Sequence, residues 1–196
     1  LTSSSAPLKI DYPENGWVQQ DPKEILSSQL KAMKDLESKI PTEDLSSIAS
    51  CGITNQRETT ILWKRSTGEP CGPALVWQDG RTSQICSQWK RQGLEENWKS
   101  RTGLLLDPYF SASKIKWLLE NEPSAKSALA KNDLCFGTVE SWLLWNLTST
   151  QNHYSDMSNA SRTLLMDLEE RQWVEPFCEI VGIPLSSLPE LVPCRG

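Results

Sequence analysis

An α/β domain is predicted by three features of the 196-residue sequence: short apolar runs rich in β-branched and aromatic residues, stretches whose apolar residues recur at helical spacing, and the interleaving of the two along the chain. Composition narrows the class. With 25 acidic and 20 basic residues scattered rather than blocked, the chain has no basic footprint for nucleic acid and no polybasic patch for a membrane surface. No run approaches the roughly 18 apolar residues of a membrane span, and residues 1–30 lack a basic start followed by an apolar stretch, so the expected compartment is the cytoplasm. Six widely spaced cysteines, Cys51, Cys71, Cys86, Cys135, Cys178 and Cys194, form no C-x-x-C and are expected as reduced thiols. The one histidine, His153, is expected as a polar loop residue rather than a ligand or a catalytic base.

Taken in order, residues 1–15 are expected as a disordered or truncated lead-in, since residue 1 is Leu and the first methionine is Met33. The domain proper is expected over 16–196. Asp21-Pro22-Lys23-Glu24 offers an N-cap, a proline at the first helical position and a glutamate three places after the cap. Ile25, Leu26, Leu30, Met33, Leu36 and Ile40 then recur at helical spacing, and Pro41 closes a helix of about five turns with one buried face. Strands are predicted at 47–54 (SIASCGIT), 59–64 (TTILWK) and 74–77 (ALVW), with a turn at 66–70 (STGEP). Helices follow at 82–92, 111–120 and 123–131, each bounded by Gly, Pro or Asn. The apolar run 134–136 ends in Gly137 and leads into a helix over 138–147. A last helix near 173–181 precedes a proline-punctuated tail, 183–193, that reads as a linker.

Three polar clusters lie where predicted elements end, which is where sites are usually built on a rigid scaffold. The first is Asn55 to Thr60, with Arg57 beside Glu58. In a strand these two would point to opposite faces, whereas a loop or strand end can aim both at one ligand. A guanidinium donating and a carboxylate accepting suit neighbouring hydroxyls, and a surface ion pair is the plainer alternative. The second cluster is Val76 to Thr82, where Trp77 ends an apolar run; a core tryptophan is the alternative there. The third is Asp107 to Ser111, with Tyr109 at a helix entry. An indole, a phenol, a guanidinium and a carboxylate together suit a small polyol, the rings covering its carbons and the polar groups taking its hydroxyls. A fourth stretch, Asp156 to Thr163, is polar in a way that local capping explains. No phosphate-cradling G-x-x-x-x-G-K-[ST] or G-x-G-x-x-G is present.

The stretches GWVQQDP, GITNQRETT, VWQDGRT, DPYFSASKIKWLL, FGTVESWLLWNLT and SDMSNASRTLL, in this order, resemble the glycerol kinase branch of the FGGY carbohydrate-kinase family. Gln56-Arg57-Glu58-Thr59 stands where the pentulose-kinase branches carry a Gln-Met-His-Gly-like stretch. The resemblance covers nearly the whole chain from Gly16 onward. It implies an incomplete first domain of a two-domain, ribonuclease-H-like (actin-like ATPase) sugar kinase, with Arg57, Glu58, Trp77 and Tyr109 around glycerol or a similar polyol. ATP and Mg²⁺ are the implied cofactors, bound mostly by parts outside these residues, and a homo-oligomeric full-length parent is left open. An Asp-x-Gly-Thr-Thr-like phosphate loop is expected before Leu1, and a Gly-Asp-Gln-Gln-like stretch carrying the catalytic base after Gly196. Gly80, Glu140 and Gln19-Gln20 depart from the arginine, aspartate and Glu-His that are usual there. A non-catalytic polyol-binding or interaction module on the same fold is the second reading.

Overall fold

The computed structural model describes residues 2–194. The first strand, β1 (Gln19–Gln20), leads into α1 (Pro22–Glu37), where Oδ1 of the N-cap Asp21 accepts from the amide of Lys23 at 2.8 Å and Pro22 fills the first turn. A short helix, α2 (Thr42–Leu45), follows. Next come β2 (Ile61–Lys64), β3 (Ala74–Leu75), α3 (Ser83–Arg91), α4 (Glu95–Thr102), α5 (Ser111–Asn121), α6 (Pro123–Ala130), β4 (Leu134–Gly137) and α7 (Val139–Leu147). The chain closes with β5 (Tyr154–Asp156), α8 (Met157–Ala160), α9 (Glu175–Val181) and β6 (Glu190–Val192).

The strands form one narrow antiparallel run and one separate pair. Gln19 and Gln20 face Leu75 and Ala74; Leu75 bridges Thr60 at the head of β2; and β2 pairs with β4, Ile61 opposite Gly137 and Lys64 opposite Leu134. Alternation of side chains along β2 and β4 then divides the core. Leu62, Leu134 and Phe136 face the helices α3 to α6 and α9, where Trp98 lies stacked between Trp89 and Phe177. Ile61, Trp63 and Cys135 face the other way, onto Ile25 of α1 and Val139, Trp142 and Trp145 of α7. The result is a sheet covered on both faces. Burying each such aromatic contributes about 1.5–3 kcal/mol. At the β4–α7 junction Gly137 is obligatory on packing grounds, because a Cβ there would lie 2.5 Å from Cβ of Ser141 and 2.8 Å from the Trp63 ring.

Several expectations change. Residues 47–54 are not a strand: Ser47 and Ile48 finish the turn after α2, their amides donating to the carbonyls of Asp44 and Leu45, and 49–54 pair with no strand among the described residues. The predicted strands 59–64 and 74–77 are shorter, at Ile61–Lys64 and Ala74–Leu75, and the first helix ends at Glu37. Its apolar stripe is only partly covered, for Ile25 is buried while Leu30 and Met33 remain 46% and 47% exposed. Ile25 and Met33 border a groove lined also by Leu8, Ile53, Leu143 and Leu147. The tail expected as a linker folds back instead, β6 pairing in parallel with β5, Tyr154 opposite Glu190. In the lead-in, Asp11 bridges Gln19, Leu8 packs against the Trp63 cluster, and the carbonyl of Ser3 accepts from Nζ of Lys39 at 2.8 Å.

Candidate functional site

The segment carrying Arg57 and Glu58 is a turn. The amide of Thr59 donates to the carbonyl of Gln56 at 3.2 Å and its hydroxyl to Oε1 of Gln56 at 2.9 Å, which breaks the strand period just where the two charges stand. Arg57 is exposed and its Nη1 reaches the carbonyl of Ser158 at 3.4 Å. Glu58 is buried, and its Oε1 accepts from Nε of Arg162 at 2.7 Å. The two therefore do not pair with each other. Both turn toward the α8 region, 158–162, which the sequence had suggested only as capping. That capping is real as well: Oδ1 of Asp156 accepts from the amide of Asn159 at 2.7 Å.

Arg162 is the residue that joins the clusters. While it donates to Glu58, its guanidinium lies 4.9 Å from the centre of the Phe110 ring and 5.9 Å from that of Tyr109. The Tyr109 ring stands 5.5 Å from Trp77, which is 37% exposed at the end of β3 and so is no core tryptophan. Trp77, Tyr109, Arg162 and Glu58 thus form one continuous ledge. Arg57 flanks it, with no contact to either ring. Arg162 is the sole cation in its polar stretch just before the buried run Leu164 to Met166, and that contrast was the available signal for it.

Lys114 lies directly behind the ledge and is wholly buried; its Nζ donates to the carbonyls of Pro108, Tyr109 and Phe110 at 2.5, 2.7 and 3.4 Å. Burial lowers its ammonium to about 7, against the opposing pull of Asp79, Cys86, Glu58 and Asp107. Asp79 is fully committed to structural bonds. Its Oδ2 accepts from the amide of Val18 at 2.6 Å and pairs with Arg81 at 2.8 Å, the guanidinium lying 3.9 Å from the Trp17 ring and 4.7 Å from Trp117. Of the unusual residues, Gln19 joins this frame, accepting from Arg81 at 2.9 Å, while Glu140 lies apart from it and accepts from the Ser155 hydroxyl at 3.0 Å. Burial, helped by Asp156, pushes the Glu140 carboxyl up to about 7. All six cysteines are free, and four are buried; burial raises Cys135 and Cys178 to about 12. Among the described residues, no three His, Cys, Asp or Glu side chains are grouped so as to hold a metal ion, and no helix is long and apolar enough to cross a membrane.

Solved structures share this architecture. A Plasmodium falciparum glycerol kinase with ADP superposes with a TM-score of 0.83 at 38% identity, covering 95% of this chain and 37% of that one. A xylulose kinase from Rhodospirillum rubrum superposes with a TM-score of 0.82 at 19% identity, over 95% of this chain and 37% of that one, a likeness of fold alone. The lobe accordingly has the ribonuclease-H-like, actin-like ATPase fold that sugar kinases share. More narrowly, residues 1–195 match the model of the FGGY family of carbohydrate kinases, N-terminal domain, and the chain belongs to that family. Curated relatives include glycerol kinases from Chromobacterium violaceum, 50% identical over 92% of this chain, and Thermus brockianus, 49% identical over 94%. The chain spans 36% and 37% of their respective lengths.

Proposed function

We propose that this chain is the polyol-holding part of an ATP-dependent kinase that phosphorylates glycerol, or a polyol of similar size, on a primary hydroxyl. The observation that carries the reading is the ledge of Trp77, Tyr109, Arg162 and Glu58, with Arg57 at its flank. With Arg162 on Oε1 of Glu58, the other carboxylate oxygen is free to accept from a substrate hydroxyl, while Arg57 donates to a neighbouring one. The rings cover the carbon chain. Phosphoryl transfer consists largely of positioning and charge neutralisation, and these groups supply the positioning. No step is assigned to a metal in this chain, since its described carboxylates do not group into a metal-binding set. The phosphate-handling groups, the base and any Mg²⁺ site belong, in this reading, to the remainder of the protein, acting in the cytoplasm.

Glu58→Ala in the full-length protein tests the reading. Loss of the acceptor that orients the polyol is expected to lower kcat/KM for glycerol about a hundredfold, with KM for ATP little changed. An unaltered rate at limiting and saturating glycerol removes Glu58 from the site.

A further inference from the structure

Lys114 occupies a costly position. It is in the first turn of α5, the end at which a helix favours negative charge, and its ammonium is out of water. Such placement calls for compensation, and three loop carbonyls in succession, those of Pro108, Tyr109 and Phe110, supply it. The same three carbonyls fix the path of the backbone that presents the Tyr109 ring. Of the hydroxyls in this part of the chain, those of Thr82 and Ser113 bond each other at 2.8 Å, while that of Ser111 is buried without a partner among the described residues. The loop is also tied locally, the amide of Tyr109 donating to Oδ1 of Asp107 at 2.8 Å and that of Phe110 to the carbonyl of Asp107 at 3.3 Å.

We propose that Lys114 is a positioning residue for substrate binding, its ammonium gathering the carbonyls of residues 108–110 so that the Tyr109 ring stands against Trp77 and under Arg162. It touches no substrate and acts through Tyr109. The inference rests on the polyol reading of that ledge. A ring that covers the carbon chain holds substrate and transition state alike, so displacing it raises KM for the polyol and leaves kcat nearly intact.

The test is a double-mutant cycle in the full-length protein. Lys114→Met keeps the apolar stem and removes the ammonium; it is expected to raise KM for glycerol about tenfold, with kcat within about threefold of the parent and KM for ATP unchanged. Placed on a Tyr109→Ala background it is expected to add nothing further. Lys114→Gln, which restores a donor, is expected to recover part of the loss. A wholly structural lysine gives a different result: lower thermal stability with an unchanged glycerol KM, or effects that simply add to those of Tyr109→Ala. Either one overturns the proposal, as does failure of both Lys114 variants to yield soluble protein. If Tyr109→Ala raises KM while Lys114→Met does not, the inference fails and the polyol reading stands. If Tyr109→Ala leaves KM for glycerol unchanged, the polyol reading itself fails.

Discussion

His153 shows how far one side chain can depart from its sequence-based reading. Expected as a polar loop residue, it packs 5.2 Å from Trp63 and 5.9 Å from Trp145, with Nε2 2.7 Å from the carbonyl of Phe136. Burial lowers its pKa from 6.5 to about 4, so the folded protein keeps it neutral where an unfolded chain would take up a proton. The sign follows directly. The stability that depends on neutral His153 is complete above the unfolded value and is lost as pH falls from about 6.5 toward about 4. Between about pH 7 and about pH 4.5, the stability of the parent relative to His153→Gln, which keeps a donor but does not titrate, is expected to fall by on the order of 2 kcal/mol. Denaturant unfolding at each pH measures it, and a pH-independent difference contradicts the assignment. Glu140 works in the opposite sense: raised to about 7, it favours the fold most below pH 4.5 and loses that contribution as pH rises through 7. The clusters that hold Trp77, Tyr109 and Glu58 could be singled out because each stands where a predicted element begins or ends. Arg162 stood out only as the sole cation of its polar stretch; its pairing with Glu58, 104 residues away, has no local mark.

Among the elements, legibility followed periodicity. Helices with a capped start and an apolar stripe, such as α1 and α5, could be read directly. By contrast α4, EENWKSRT, is polar all round except for Trp98, so it has no stripe to detect; it is held by that indole, whose Nε1 donates to the carbonyl of Leu164 at 2.7 Å, and by Arg101, whose Nε donates to Oδ2 of Asp167 at 2.7 Å. Segment 47–54 illustrates the converse. Its residues favour a strand, yet a strand exists only when a neighbour takes up its hydrogen bonds, and none of the described residues does so. The backbone amides of residues 49–56 accordingly donate to no described residue, whereas those of β2 and β4 sit in a buried ladder. Amide hydrogen exchange of this chain is expected to show 49–56 exchanging orders of magnitude faster than Ile61–Lys64 and Leu134–Gly137. Comparable protection in the two regions means that a partner strand covers the segment. The β5–β6 pair was missed for a related reason: it joins residues far apart in sequence through two short runs that carry no apolar alternation.

For the whole molecule, the strands are covered on both faces, and the ledge presents Trp77, 37% exposed, beside the buried carboxylate of Glu58. The 196-residue chain by itself is expected to show no ATP-dependent phosphorylation of glycerol in a coupled assay for glycerol 3-phosphate. Hydroxyls transferred from water to exposed protein groups gain little, because each new bond replaces one already made. Turnover above a Glu58→Ala control contradicts this and requires a base among residues assigned here to the scaffold. The open ledge has an optical consequence too. Of the nine tryptophans, Trp77 alone is exposed, the other eight being buried or half-buried, and a tyrosine ring stands 5.5 Å from it. Whatever settles against that indole strips water from a single fluorophore while the rest keep their surroundings. The protein thus carries its own dye on the ledge, and whatever binds against it can be followed by the colour and quenching of its native emission without attaching a label.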